Sequence, residues 1–478
     1  MLRRLSLAIA LASASAGAAW AEDAPRSSKT DLLTVYQQAA ANNAELAAAR
    51  ADYQARSEIV PQARAGLLPN LSAGASITDS RTSVDSPSLT SSRSGTLYQA
   101  NLSQPLFRAD RWFQLQAAEA SNEQAALELS ASEQTLILQS AETYFAVLRA
   151  QDNLASTKAE EAAFKRQLDQ ANERFDVGLS DKTDVLEAQA GYDTARANRI
   201  LAQRQVEDAF EALTNLTNQE FSALEGIEHS LPILAPTPND AKAWVDTASA
   251  QNLRLLASNY GVNAAEDSLR QRKAGHAPTL DAVASYQRGD NDRLGFSNSG
   301  NPPRFGGDVE QRAIGLQLNI PLYSGGLTSS QVREAYQRVE QSEQLRESLR
   351  RQVVQNTRNL HRAVNTDVET VQARKQSIIS NQSALEATEI GYQVGTRNIV
   401  DVLDAQRQLY SSVRNYNNAR YDYIINNLRL KQVAGTLSPA DLEALEQYLK
   451  SDYDPDQDFL PPDLAKAAEA QLRGNLDY

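Results

Sequence analysis

Two stretches of the chain alternate apolar and polar positions with a period of two, and each leads into a very long stretch of helical periodicity. In the later one, Leu280, Ala282, Ala284 and Tyr286 alternate with Asp281, Val283, Ser285 and Gln287, and Ile314, Leu316, Leu318 and Ile320 with Gly315, Gln317 and Asn319. In the earlier one the apolar positions are Leu71, Ala73, Ala75 and Ile77, then Tyr98, Ala100 and Leu102. Such spacing predicts strands with one apolar face, over 70–81, 96–106, 279–288 and 311–321. The segments between, Asp79 to Gly95 and Gly289 to Gly307, are rich in Ser, Asn, Asp, Gly and Pro, which predicts long polar loops. From Ala109 to Phe175, and again from Leu327 to Ile390, no Gly or Pro interrupts the chain. Each stretch predicts one helix of roughly 100 Å at about 1.5 Å per residue. Apolar residues recur at threes and fours, as in Ala141, Phe145 and Leu148, or at sevens in Val371, Ile378 and Leu385, the pattern of a narrow coiled-coil seam. Shorter helical patterns precede each strand pair, Thr30 to Ala65 and Ala241 to Ala274, and follow each rod, Asp181 to Thr217 and Asn398 to Ala434.

The order helix, strand, strand, long helix, turn, helix therefore occurs twice, and the residues repeat with it. Arg174-Phe-Asp-Val-Gly178 through Asp184-Val-Leu-Glu-Ala-Gln189 returns as Gly391-Tyr-Gln-Val-Gly395 through Asp401-Val-Leu-Asp-Ala-Gln406, at a constant offset of 217 (395 less 178, 401 less 184). Asn252 echoes Asn43, and Lys273-Ala-Gly-His-Ala-Pro278 echoes Arg64-Ala-Gly-Leu-Leu-Pro69, at an offset of 209 (252 less 43). Ile320-Pro321-Leu-Tyr323 echoes Gln104-Pro105-Leu-Phe107 at 216 (321 less 105), so the length difference falls between the two strands, where insertions are tolerated. The chain reads as an internal duplication, with a first repeat over 22–230 and a second over 231–436. A Gly after each rod and an Asp before the next helix predict tight helical hairpin tips at about 176–184 and 393–401.

Composition sharpens this picture. Of 478 residues 41% are apolar and only 6% aromatic, which suits thin helical architecture better than large cores. Arg3 and Arg4, the apolar run Leu5 to Ala12, and Ala19-Trp20-Ala21 form a secretory signal over 1–21, so the mature chain is expected to begin near Glu22. With no cysteine, neither a disulfide framework nor N-terminal lipid attachment is available. No apolar run is long enough for a transmembrane helix, so any membrane crossing falls to the strands. A net charge of −13 argues against nucleic-acid binding. Ten acidic against three basic residues after Gly435 read as a solvated, partly disordered acidic tail over 437–478. His229, His276 and His361 stand apart, and neither a metal-ligand cluster, a nucleophile motif nor a phosphate loop is evident, so the chain reads as a non-enzyme without cofactor or metal.

Apolar-out, polar-in strands in an exported chain suggest an outer-membrane barrel. Four strands cannot close one, so several subunits must share it. The alternative is a soluble periplasmic coiled-coil scaffold without a pore. The repeat, the turn motif ending in Asp401-Val-Leu-Asp-Ala-Gln406, and Ile320-Pro-Leu-Tyr-Ser-Gly-Gly326 resemble the TolC family of outer-membrane channels for efflux and type I secretion. The resemblance implies a mainly α fold with membrane β. It implies a homotrimer whose twelve-stranded barrel lies in outer-membrane lipid and continues into a twelve-helix periplasmic tunnel. It further implies a periplasmic adaptor (membrane fusion) protein and an inner-membrane transporter of RND or ABC type at the tapered end, with Pro105 and Pro321 as strand-to-helix swivels.

Asp401 and Asp404 lie at i and i+3, on one face of a helix. Repeated around a trimer axis they would form carboxylate rings that favour cations, and the resemblance puts them at the periplasmic entrance. Asp401 has a second reading as the third residue of a helix capped by Asn398, as Asp184 has with Asp181. The resemblance also implies a closed-state latch at Tyr392 and Arg397 with Thr183 and Asp184. Gly178 and Gly395 are expected as left-handed helix caps, and the small tips around them (Gly178, Leu179 and Ser180; Gly395 and Thr396) suit docking of an adaptor hairpin.

Overall fold

The computed structural model describes residues 29–85, 88–290 and 308–461; the expected signal sequence, most of the second inter-strand loop and the end of the acidic tail lie outside them. Three helices open the chain, α1 (Leu32–Asn42), α2 (Ala44–Ser57) and α3 (Ile59–Ala65), followed by β1 (Asn70–Asp85), β2 (Ser88–Phe107), α4 (Ala109–Asp176) and α5 (Lys182–Thr217). A short β3 (Gly226–Ile227) precedes the second set: α6 (Ala241–Gln251), α7 (Leu253–Ala274), β4 (Thr279–Asp290), β5 (Asp308–Asn319), α8 (Leu327–Gln393) and α9 (Ile399–Ala434). The chain then adds α10 (Pro439–Glu446), β6 (Leu449–Lys450) and α11 (Pro455–Asp458).

The rods α4 and α8 hold 68 and 67 residues, as expected where nothing interrupts the helical ladder. The helical run before each strand pair breaks at an asparagine, for the same reason in both copies, and the first run breaks once more at Glu58. Asn43 and Asn252 adopt extended backbone (ψ 121° and 117°), and each side-chain oxygen accepts the N–H three residues on, Leu46 at 2.8 Å and Leu255 at 3.0 Å. The amide nitrogens donate outward, to the Leu216 carbonyl at 3.3 Å and the Val433 carbonyl at 2.8 Å, so each Asn both restarts a helix and pins it to the end of α5 or α9.

The four long strands form one antiparallel sheet in the order β1-β2-β4-β5. Directly paired residues share a face. Leu71↔Leu102, Ala73↔Ala100 and Ala75↔Tyr98 continue through Leu102↔Ala284 and Ala100↔Tyr286 into Ala284↔Ile314, Ala282↔Leu316 and Leu280↔Leu318. One unbroken apolar face thus crosses all four strands, backed by Ser, Asn and Gln on the other. The apolar side is uncovered: Ile77 is 84% and Ile314 91% exposed. The expected loop Asp79 to Gly95 is instead strand, with pairing running through Asp79↔Ser94 and Ser83↔Thr90 to Asp85↔Ser88. Its Ser and Thr residues sustain a ladder whose hydrogen bonds are all backbone, so polarity alone did not mark a loop.

The main core lies midway along the rods, where α4 meets α9, α5 and α8 around Tyr144, Phe145, Leu148, Leu213, Val364 and Tyr421. The acidic tail corrects the expectation of a solvated end: up to Pro461 it folds onto this core. β6 pairs antiparallel with β3, Tyr453 and Phe459 are buried, and the Tyr453 ring fills the space over Gly226 that any side chain there would occupy. The Tyr453 hydroxyl donates to the Asp152 carboxylate, as does Tyr421 at 2.7 Å, and Asn417 donates to the Phe459 carbonyl at 2.8 Å. The acidic side chains find local partners: Asp454 caps α11, Asp458 bonds Lys450 at 3.0 Å and Asp456 bonds Lys158 at 2.9 Å.

Burial raises the Asp152 carboxyl from 3.8 to about 6, against the lowering effect of its two tyrosine donors and of Arg420. Because the folded value lies above the unfolded one, its contribution to stability is complete below pH 4 and is lost as pH rises through about 6, on the order of 3 kcal/mol. Thermal unfolding of wild type and Asp152→Asn is expected to show the wild type losing ground to the variant between about pH 4 and pH 7; a pH-independent difference would contradict the buried-acid assignment.

Candidate functional site

Each rod ends in the same cap. Gly178 and Gly395 both have φ +77°, left-handed backbone that glycine tolerates without strain. The Gly178 N–H donates to the Phe175 carbonyl at 2.9 Å and Leu179 to Arg174 at 2.7 Å; Gly395 donates to Tyr392 at 3.1 Å and Thr396 to Gly391 at 2.8 Å. The two turns are therefore the same Schellman motif. Their outer surface is apolar and open, with Leu179 at 69% and Val394 at 68% exposure. On the far side of the second tip, Asn398 and Asp401 form a capping box, the Asp401 N–H reaching Asn398 Oδ1 at 2.8 Å. The first tip has Asp181 in the N-cap position with no side-chain cap bond, so Asp184 lacks the reciprocal partner that Asp401 has.

The copies differ in where they carry a cation. In the second, Arg397 packs across Gly391, where an added Cβ would meet the Arg397 chain at 2.8 Å, and its guanidinium lies 3.8 Å from Asp401. In the first copy the equivalent of Gly391 is Arg174 and that of Arg397 is Ser180 (both 217 apart). Arg174 has moved its charge to the other side of the turn and lies 4.8 Å from the centre of the Tyr392 ring. That contact joins the tip of α4 to the tip of α8. Higher up, Arg414 on α9 bonds the buried Glu160 on α4 at 2.6 Å, and Arg407 lies over the Phe164 ring at 5.8 Å.

Within one chain Tyr392 and Arg397 have neighbours other than Thr183 and Asp184. Tyr392 is buried with its hydroxyl unpaired, and among the described residues no hydrogen bond links Tyr392 or Arg397 to Thr183 or Asp184. Arg397 is drawn to its own helix's first turn instead, and Thr183 is exposed. Asp184 acts on Tyr392 at a distance: burial, then the Asp184 charge, raise the phenol, and Arg174 opposes them. Asp404 is exposed and bonds Arg407 at 2.5 Å. Both carboxylates of the expected rings therefore share their charge with an arginine three or four residues away, which weakens a purely cation-selective reading. Ser180 is half-buried, within 3.5 Å of the Ala171 carbonyl, and the Thr396 hydroxyl donates to the Gly391 carbonyl at 3.0 Å.

Neither the Arg174 contact nor the Glu160–Arg414 pair was anticipated from sequence. The signal for Arg174 was the position where the repeats disagree; for Glu160 and Arg414 there was none beyond two opposite charges on different helices.

The two prolines expected as equivalent swivels are not equivalent. Pro105 lies inside β2 opposite Asp281, and the register slips between it and Phe107. Arg108 then clamps Asp281 with two bonds, 3.0 and 2.7 Å, fixing the start of α4 to β4. Pro321 falls beyond β5 in an irregular segment that ends at Gly325 and Gly326, with φ +63° and +85°, and Leu322 and Tyr323 there are about nine-tenths exposed. The α8 junction is the freer of the two.

Among the described residues no His, Cys, Asp and Glu cluster has the spacing of a metal site, and no helix is long and apolar enough to cross a membrane. Against known proteins, the family described as outer membrane efflux protein matches residues 35–219 and 244–436. Outer membrane protein TolC of Vibrio cholerae is 38% identical over 91% of this chain and 95% of its own length. Alkaline protease secretion protein AprF of Pseudomonas aeruginosa is 27% identical over 86% of both chains. Among solved structures, that of CusC, described in terms of folding and transmembrane channel formation, superposes with a TM-score of 0.75 at 16% identity, covering 85% of this chain and 92% of its own.

Arg174→Ala is expected to loosen the tip: loss of a cation from the buried Tyr392 ring costs about 1–2 kcal/mol. Amide exchange from Tyr392 to Ile399 should accelerate while the mid-rod core is unchanged. Unaltered exchange at the second tip would show that the contact does not couple the hairpins.

Proposed function

The chain belongs to the outer membrane efflux protein family, and from that premise we propose how its parts carry material out of the cell. It is an outer-membrane channel of efflux and type I secretion systems; a periplasmic scaffold without a pore is not favoured. The observation that supports the channel most directly is the continuous apolar face across β1-β2-β4-β5, left uncovered and flanked by two unpaired edges. In lipid an apolar face is satisfied, but an unpaired strand edge costs several kcal/mol per group. The edges must meet those of other copies. Because neighbours alternate in direction, β5 of one copy lies antiparallel to β1 of the next, so closure continues the same ladder.

Three copies close a twelve-stranded barrel, the polar face of Ser, Asn and Gln lining an aqueous lumen. The four long helices of each copy then continue it as a twelve-helix tunnel through the periplasm. Residues 1–21 direct export and are removed, and the repeats over 22–230 and 231–436 supply equivalent halves of each subunit. A periplasmic adaptor docks on the tips at Gly178, Leu179, Ser180, Gly395 and Thr396, and an inner-membrane transporter of RND or ABC type supplies the energy.

The entrance is held by the tips. Asp401 and Asp404 ring the constriction, each paired with an arginine, and the Tyr392 hydroxyl, unpaired within the chain and sensitive to the Asp184 charge, completes the latch with Thr183 and Asp184 of the same or a neighbouring subunit. Exposed pairs of this type contribute about 0–1 kcal/mol each, so the closed state rests on several acting together in every subunit. Release requires only that partners bind the open arrangement more tightly.

In planar bilayers the purified protein should give discrete current steps, small for wild type and larger for Arg397→Ser combined with Asp184→Ala. Equal steps would remove the latch, and an absence of steps the channel itself. Ser180→Trp should weaken adaptor capture without altering unfolding; undiminished capture would remove the tips as the docking surface.

A further inference from the structure

The apolar face of the sheet ends, on the side away from the rods, in a straight line. The first residue beyond its apolar run is Arg312 on β5, Arg288 on β4, Thr96 on β2 and Asp79 on β1. Arg312 pairs with Tyr286, two residues from Arg288; Arg288 pairs with Tyr98, two from Thr96; Thr96 pairs with Ile77, two from Asp79. The line therefore advances two residues, about 6.6 Å, for every strand crossed, about 4.8 Å. A flat boundary between an apolar and a polar medium draws such a line across tilted strands. Polar residues on a sheet surrounded by water have no reason to align in this way.

Charges continue past the line on the same face, Glu310 and Asp308 on β5 and Arg81 on β1. On β4 and β5 they alternate in sign: Arg312 Nε bonds Glu310 at 2.8 Å, and Arg288 reaches Asp308 at 3.2 Å. Arg312 lies 5.8 Å from the centre of the Tyr286 ring, and Tyr98 stands directly beside Arg288. Aromatic residues followed by cations are the order found where acyl chains give way to headgroups. Neither arginine is used up by its acid, since a guanidinium has five N–H donors and both side chains are more than half exposed.

Two features choose the occupant. Alternating cations and carboxylates match a layer of phosphates bridged by divalent cations, the guanidinium taking phosphate and the carboxylate the metal ion. Beyond the line, among the described residues, the β1–β2 pair runs on alone from Ile77 to Asp85↔Ser88, about 27 Å, through a sequence rich in Ser and Thr. A headgroup that ended at its phosphate would leave this ribbon in water, whereas one that carries sugars lies along it.

We propose that Arg288 and Arg312, with Asp308 and Glu310, bind the phosphorylated sugar headgroup of a glycolipid whose acyl chains lie on the apolar face below Tyr286 and Tyr98. That this end of the sheet meets the outer leaflet rests on the channel reading; recognition of the headgroup depends only on the face itself.

The mature protein, stripped of lipid in mild detergent, is titrated in Mg²⁺ with lipid A bearing its phosphates, with the same lipid dephosphorylated, and with phosphatidylglycerol, the bound lipid being counted by native mass spectrometry. Lipid A should bind, and Arg288→Gln with Arg312→Gln should weaken it about tenfold or more, because charge-assisted contacts are lost. Wild type should discriminate to a similar degree against the dephosphorylated lipid, a comparison that needs no variant to fold. Equal binding by variant and wild type, or of lipid A with and without phosphates, would leave only the acyl chains as the attraction. Phosphatidylglycerol bound as tightly as lipid A would make the line a general anionic surface, and displacement by millimolar inorganic phosphate would make it a free-anion site. Each of these results overturns the proposal. The current steps in planar bilayers do not need this site: their absence tells against the channel, and failed binding with steps intact tells against the glycolipid alone.

Discussion

The structure depends on a constraint that one chain cannot satisfy: a four-stranded sheet, apolar on one face and unpaired at both edges, has no low-energy place in water or in lipid by itself. In water the exposed Ile77, Ile314 and Leu316 have no cover. In lipid they do, but the outer edges of β1 and β5 still present bare backbone groups. Closing the sheet on itself is excluded because four strands are too few to surround even a filled interior. The proposed assembly around an axis would resolve both problems at once, with the hollow axis a by-product of the strand number. In that arrangement the long helices would continue the axis, since each strand pair leads into a rod, β2 almost at once and β5 through a short irregular segment.

The two hairpins share a backbone design, and the residues proposed for the gate sit where they differ. The shared features are backbone features: the left-handed Gly178 and Gly395, and the helix-restarting Asn43 and Asn252 that hold α5 and α9. The differences are charges. Arg174 against Gly391 and Ser180 against Arg397 amount to one cation moved across a turn, and the move changes its partner from the Tyr392 ring to Asp401. The strand-to-helix junctions differ likewise, one clamped by Arg108 on Asp281 and the other ending in two left-handed glycines. The junction into α4 is thereby clamped and the junction into α8 is freer, whereas at the tips it is the second hairpin that carries the capping box.

Much of this was legible in the residues because backbone rules are local. An uninterrupted helical pattern, a glycine followed by a cap residue, and a period of two each specify their element without reference to the rest of the molecule. The misreadings came from tertiary context. The polar run from Asp79 to Gly95 predicts a loop by composition, although a backbone ladder tolerates Ser and Thr as well as Val. The acidic residues after Gly435 outweighed Tyr453 and Phe459, whose burial against Asp152 and Asn417 required knowing that α4 and α9 lie side by side there. Asn43 and Asn252 repeated plainly in the sequence, but an isolated Asn in a helical pattern carries too little penalty to declare a break. At the tips the candidate residues were found and their partners were not, because partnership across the hairpins depends on which side of a turn one arginine leaves.

Native mass spectrometry of the mature protein, released from outer membranes in mild detergent, tests the shared-barrel account most directly. A single species of three protomers, with the amides at the outer edges of β1 and β5 as slow to exchange as those of the β2–β4 pair, is the expected result. A monomer whose β1 and β5 edges exchange freely would contradict it.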